Sequence, residues 1–204
     1  MEVKPTRSEL IKLKKKIKLA KSGYKLLKKK RDGLILEFFE ILKETKSVRK
    51  EMTEKYIEAI SRINIARMTD GDLAIKSTSM AIKNKPIIDV NTKNIMGVVV
   101  PNINSENVKK DVMERGYGLL NTSAAINEAA TSYEELLEYI LVVAEVETSM
   151  IRLLQEIDKT KRRVNALEFE VIPKMEKIQS FIQLRLEEQE RETVFRSKRI
   201  KKKR

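Results

Sequence analysis

A chain of 204 residues with 36% charged side chains, 5% aromatic ones, no tryptophan and few glycines or prolines suits long helices better than a thick core. It has neither cysteine nor histidine, which excludes disulfides, thiol chemistry and the commonest zinc ligands, and removes the usual general base near neutral pH. The net charge of +13 is uneven: residues 1–31 carry +11, residues 191–204 carry +7, and the body between them carries −5.

The first predicted element is a long helix over residues 6–70. It starts near Thr6 or Ser8; Pro5 precedes it, and Ser8 is an acceptable cap. Leu10, Ile17, Tyr24, Phe38 and Met52 recur at multiples of seven, and Leu13, Ala20, Leu27, Leu34, Ile41 and Val48 follow three residues on. The heptad continues through Arg31, Thr45, Lys55 and Ala59, and frays at Thr69-Asp70-Gly71-Asp72, a stop signal. Gly23 and Gly33 interrupt the helix, each costing about 1 kcal/mol relative to alanine. They mark either tolerated weakness or a place where another chain comes close.

Residues 71–122 break the pattern and form a small central region. A β-hairpin is expected at about 87–100, with Ile87, Ile88 and Val90 in one strand and Ile95, Val98 and Val100 in the other. Asn91-Thr92-Lys93-Asn94 is its expected turn, and Pro101 its end. A lone hairpin is marginal in water, so it should pack on the helices or on a partner. A short helix is expected over Glu106–Arg115, a break at Gly116 and Gly118, and a cap at Ser123.

The second long helix is expected over residues 123–197, followed by a basic tail, 198–204. Leu136, Val143, Met150, Ile157, Val164, Val171 and Ile178 recur at seven. Val146, Leu153, Leu167 and Phe181 lie at plus three, and Ile140, Leu154, Met175 and Ile182 at plus four. A spacing of three and four sustained this long marks helices that wrap on each other. The fold class is therefore all-α dominated: a long antiparallel, left-handed two-helix coiled coil made by the N- and C-terminal segments, one long narrow object. Its candidate seam is Leu10, Leu13, Ile17, Tyr24, Leu27, Leu34, Phe38 and Ile41 against Met150, Leu153, Ile157, Val164, Leu167, Val171 and Ile178. Arg31 is a polar seam residue suited to fixing register. Pro173 should kink the second helix, and matching the ends of the two heptad stretches places it opposite Ser22-Gly23.

No Gly-x-x-x-x-Gly-Lys-Ser/Thr loop exists, so direct nucleotide binding is not expected. Carboxylates such as Glu134, Glu135 and Glu138 fall at helical spacing beside Lys and Arg, which reads as solvated helix faces rather than an acid–base site. No catalytic, metal or cofactor residue is expected. Val98–Val100 is too short to span a bilayer, and no apolar core follows the N-terminal charges, so a soluble cytoplasmic chain is expected. The runs Lys14-Lys15-Lys16, Lys28-Lys29-Lys30-Arg31 and Lys198–Arg204 invite an alternative, a basic coiled-coil factor associated with nucleic acid or ribosomes. The scarcity of aromatic stacking partners argues against it. A third reading is a tether to anionic membrane surface.

Three segments narrow the choice. Pro5-Thr6-Arg7-Ser8-Glu9-Leu10, the run Leu19–Asp32, and Arg163-Val164-Asn165-Ala166-Leu167-Glu168 followed by Val171-Ile172-Pro173 resemble the D subunits of the V-type and archaeal A-type ATPases. The C-terminal stretch with Glu190-Arg191-Glu192, Phe195 and Lys198-Arg199 is similar too, and the resemblance covers essentially the whole chain. It implies a non-catalytic rotor axle that transmits torque between the hexamer of A and B subunits and the ion-translocating membrane ring. It further implies that the central region binds the F subunit and docks on the funnel-shaped subunit above the ring. Membrane association would then come only through the complex, at the cytoplasmic face of the cell membrane, with no specific nucleic-acid partner. The basic tip of Lys14, Lys15, Lys16, Lys201, Lys202 and Lys203 is expected to face the hexamer.

Overall fold

The computed structural model describes residues 4–82, 86–118 and 122–203, with Lys203 described by its backbone alone. Parts of the expected central region (83–85 and 119–121), the Lys203 side chain and Arg204 lie outside the described residues. Helix α1 spans Arg7–Ala81, strands β1 Ile87–Ile95 and β2 Val98–Glu106, helix α2 Ala124–Ala166, a π-helical turn Leu167–Val171, and helix α3 Ile172–Lys203. The residues group into two compact units, Met1–Gly33 with Ile157–Arg204, and Leu34–Glu156.

In the first unit the start of α1 packs antiparallel on the C-terminal segment. Glu9 N donates to Thr6 Oγ1 at 3.3 Å, so Thr6 caps α1, whereas Ser8, the expected cap, lies inside the first turn. Arg7 pairs with Glu190 at 2.5 Å and Lys21 with Glu176 at 2.6 Å, which fixes the opposite chain directions. The Lys21–Glu176 pair puts the register within one or two residues of the one expected for Pro173. Ile17, Val164 and Ile182 are buried between these segments, and Thr160 is 1% exposed among them.

Pro173 does not act alone. A proline removes its own N–H bond and crowds the carbonyl four residues earlier, here Phe169. The π turn absorbs this conflict: the Ile172 N–H bonds to Leu167 O, five residues back. The wider turn takes in one extra residue, and the seam moves accordingly. Before it, Leu153, at plus three from Met150, is 0% exposed, whereas Leu154 at plus four is 46% exposed. After it, Phe181 at plus three from Ile178 is 51% exposed and Ile182 at plus four is 1%. The heptad positions Phe181, Leu154 and Ile140 are thus corrected to the outer surface.

In the second unit the remainder of α1 runs antiparallel to α2. Thr45 lies beside Met150, Arg49 pairs with Glu147 at 3.7 Å, Lys55 with Glu135 at 3.0 Å, and Asp70 accepts a hydrogen bond from Ser123 Oγ. Leu34, Ala59, Ala66, Ile126, Ala129, Leu136, Val143 and Leu153 form the buried face. Buried Thr45 satisfies its hydroxyl by donating to Ile41 O at 2.6 Å. Arg31, in the first unit, pairs with its neighbour Asp32 at 2.7 Å.

The expected stop at Thr69–Asp72 is real but local. Gly71 takes φ 81°, ψ 160°, a conformation open only to glycine, and helix resumes as far as Ala81. The hairpin also differs in detail. Its turn is Met96-Gly97, both at positive φ (48° and 87°), as a two-residue type I′ turn requires. Asn91–Asn94 is strand, Asn94 Oδ1 accepts from Gly97 N at 2.8 Å, and Pro101 sits inside β2 opposite Thr92. In place of the short helix expected over Glu106–Arg115, Glu106 ends β2 and residues 107–115 make bends and a turn, held by charged anchors such as Lys109 on Glu138 and Arg115 on Glu134.

Candidate interaction surfaces

Every candidate seam residue is buried or half-buried. Ile17, Leu34, Leu153 and Val164 are buried, and Leu10, Leu13, Tyr24, Leu27, Phe38, Ile41, Met150, Ile157, Leu167, Val171 and Ile178 are half-buried. The half-burial follows from geometry: a two-helix contact covers a stripe, and the flank of each side chain stays wet.

The first unit presents a basic surface. Lys14, Lys18, Lys21 and Lys25 repeat at helical spacing on α1 and line a shallow groove with Ile17, Ser22 and Gln179. Lys14, Lys15, Lys16, Lys201 and Lys202 are all exposed. They do not form one cluster. Arg7, in the first turn of α1, already faces Glu190, so Lys201 and Lys202 lie about three helical turns farther along α3. Large apolar side chains also stand in water here: Leu19 at 74%, Leu26 at 68% and Phe195 at 74% exposure. Sequence periodicity did not single these out, because they fall off the heptad positions. Their signal is the second spacing of seven, from Leu19 to Leu26, on the outer face of α1.

The second unit carries the hairpin. Val98 and Val100 are buried and Ile95 half-buried, whereas Ile87, Ile88 and Val90 stand 54%, 44% and 63% exposed. Strand β2 therefore packs inward and most of β1 faces water. Behind the hairpin, the loop 107–118 is bolted to α2 by Arg115, which is 3% exposed. Its guanidinium donates to both carboxylate oxygens of Glu134 (2.9 and 2.8 Å), to Thr131 Oγ1 (3.0 Å) and to Asn127 O (3.2 Å). Burial, the largest single influence, lowers its pKa, and hydrogen bonding and charge attraction from Glu134 and Tyr117 together more than reverse that. Tyr117 OH adds a bond to Asn127 Oδ1 at 2.8 Å. A buried arginine satisfied this fully fixes a loop that carries little apolar mass of its own.

Across the helix pair, Lys55 bridges Glu135 (3.0 Å) and Glu58 (3.2 Å). The hydrogen bond to Glu135, then that to Glu58, holds the Lys55 pKa above its ordinary value, and the bond from Lys55 holds Glu135 below its own. An apolar groove of about 200 Å³ separates Ile63, Ala66, Ile75 and Ile82 of the end of α1 and the residue after it from Ile126, Ala129 and Tyr133 of α2. Among the described residues no group of acidic side chains is arranged to hold a metal ion, and no helix is long and apolar enough to cross a membrane.

Comparison with known proteins gives the chain a family. The profile describing the D subunit of ATP synthase matches residues 9–202. The chain is similar to the A-type ATP synthase D subunit of Methanococcoides burtonii, 60% identical over 98% of both chains. It is similar to that of Methanosarcina acetivorans, 56% identical over 98% of this chain and 96% of the relative. The corresponding protein of Archaeoglobus fulgidus is 49% identical over 99% and 97%. With a match of this extent, the chain belongs to the family of ATP synthase D subunits.

Proposed function

We propose that the chain is the central-stalk rotor subunit of an A-type rotary ATP synthase. It passes torque between the A and B subunits of the catalytic hexamer and the ion-translocating membrane ring. The observation that carries this reading is the match of residues 9–202 to the D-subunit profile together with two antiparallel helical pairings, Arg7 with Glu190 and Lys55 with Glu135. A chain made this way does mechanical rather than chemical work, so it is a non-catalytic subunit that binds no nucleotide itself. The basic surface of the first unit supports contact with the hexamer. The hairpin-bearing second unit is assigned to the F subunit and to the funnel-shaped subunit over the ring, at the cytoplasmic face of the cell membrane.

The test is co-expression with the A, B and F subunits of the same organism, followed by size-exclusion chromatography and ATP turnover. The chain should co-elute at one copy per hexamer, and its omission should uncouple turnover from ion movement. Failure to join the hexamer, together with tight and selective nucleic-acid binding at physiological salt, would favour the basic nucleic-acid factor instead.

A further inference from the structure

The two edges of the hairpin are treated differently. In a hairpin closed by a two-residue turn, the pair flanking the turn exchanges both ladder hydrogen bonds, and every second pair does likewise. With Ile95 opposite Val98, the backbone groups of Val99, Pro101, Ile103 and Ser105 turn outward from β2, and those of Ile88, Val90, Thr92 and Asn94 turn outward from β1. Helix α2 covers the β2 row from Val99 to Ile103. Arg152 Nη1 donates to Val99 O at 2.8 Å, Ile103 N donates to Glu145 Oε2 at 3.1 Å, and Pro101 has no N–H to satisfy.

Nothing comparable covers β1. Among the described residues no hydrogen bond from another element ends on the backbone of Ile88, Val90, Thr92 or Asn94. Nine consecutive residues, Ile87–Ile95, form this edge without a proline. Natural sheets rarely leave so long an edge bare, since it is a template for another strand. Its outward face also shows Ile88 and Val90 to water.

The charge beside the edge indicates what kind of strand fits. Lys93 and Ile95 of β1 share a groove of about 260 Å³ with Glu37, Glu40 and Glu44 of α1 and Glu145 of α2. Glu37, Glu40 and Glu44 lie on one face of α1, and none has an ion pair among the described residues. The body of the chain, residues 32–190, carries −5 while the chain as a whole carries +13, so this is an acidic site on a basic protein.

We propose that β1 accepts an extended, basic strand from a partner chain. The partner's backbone pairs with the outward groups of Ile88, Val90, Thr92 and Asn94, and its Lys or Arg side chains meet Glu37, Glu40 and Glu44. Backbone bonds supply affinity in this mode, and the side chains supply the choice of partner.

The test uses the full chain and a fluorescent alternating peptide, (Val-Lys)4, read by anisotropy, with (Val-Glu)4 as control. The basic peptide should bind and the acidic one should not. Thr92→Pro should weaken binding at least tenfold and Thr92→Val should not, because only the proline removes an outward N–H. Pro101 already occupies the facing position of β2, so the ladder tolerates proline there. Replacing Glu37, Glu40 and Glu44 by Gln should weaken binding and flatten its salt dependence. Amide exchange gives a second readout on the unmutated chain: Val90 and Thr92 should slow on binding, and Lys93, already in the ladder, should not change. No binding of (Val-Lys)4, equal binding by Thr92→Pro, equal binding of the acidic peptide, or unchanged exchange at Val90 and Thr92 would each overturn the proposal. None of these outcomes depends on the rotor assignment, which stands or falls on assembly with the hexamer.

Discussion

Leu153 and Leu34 are shut off from water completely and Val164 nearly so, while Leu19, of the same chemistry, is 74% exposed. Burial therefore decides what each leucine contributes. Leu153→Ala should cost about 2–5 kcal/mol, through lost transfer energy and the cavity left behind, and Leu19→Ala should stay within about 0.5 kcal/mol. Thermal or urea unfolding of the isolated chain measures both, and equal effects would mean the seam is misplaced. Gly23 adds a case in the other direction. A Cβ there would meet nothing within 4 Å, so no neighbour among the described residues needs the gap. Gly23→Ala should then stabilise α1 by about 1 kcal/mol, seen as a higher melting temperature. The Lys55–Glu135 pair carries a pH signature. Glu135 lies below its ordinary 4.5, so its contribution is present above that pH and is lost as pH falls through the folded-state value. Lys55 lies above its ordinary 10.5, so its contribution is present below that pH and is lost as pH rises through the folded-state value. Glu135→Gln should therefore flatten the fall in stability on the acid side. Both side chains are 35% exposed, so the effect is small and shrinks in salt.

At the scale of elements, sequence periodicity served the helices well and the middle poorly, for physical reasons. The seam residues of α1 and α2 stand out because one stripe of a paired helix must be apolar over its whole length. The slip at Phe181 arose because periodicity counts residues evenly, whereas the π turn ahead of Pro173 takes in one more. The proline was legible and its remedy was not. In the hairpin, Asn91-Thr92-Lys93-Asn94 looked like a turn because it is polar, yet a strand exposed on both sides can carry any polar residue. The true turn, Met96-Gly97, hides behind a residue that seldom accepts φ 48°. Arg115 was invisible as an anchor, since its partners Asn127, Thr131 and Glu134 share no motif with it. Arg115→Ala should leave half-buried Glu134 without its cation and free the 107–118 loop to exchange amide hydrogens faster. Helix content by circular dichroism should change little, because the helix seam does not depend on that loop. Protection of the loop as strong as in the unmutated chain would show that its apolar side chains hold it instead.

For the molecule as a whole, the distribution of charge sets how it meets its partners. The termini carry +11 and +7 over 31 and 14 residues, and exposed lysines dominate both. Most of these side chains are exposed, so their attraction for an acidic partner is diffuse and long-ranged rather than a set of desolvated bonds. Under the proposed rotor role, diffuse attraction would suit turning inside the hexamer, because no single angular position would be held deeply. If Lys14, Lys15, Lys16, Lys201, Lys202 and Lys203 serve the hexamer, replacing them by Gln should weaken docking to the A and B subunits. The loss should be larger at low ionic strength, since exposed charges are screened beyond about 10 Å at 0.1 M salt. The two lysine groups lie turns apart along the helices, so their effects should add rather than substitute for each other. Size-exclusion or surface binding at two salt concentrations reads this directly, for each group and for both together. A docking constant insensitive to both charge and salt would shift the contact to the exposed Leu19, Leu26 and Phe195. Alanine at those three positions should then abolish assembly while leaving the fold of the isolated chain intact.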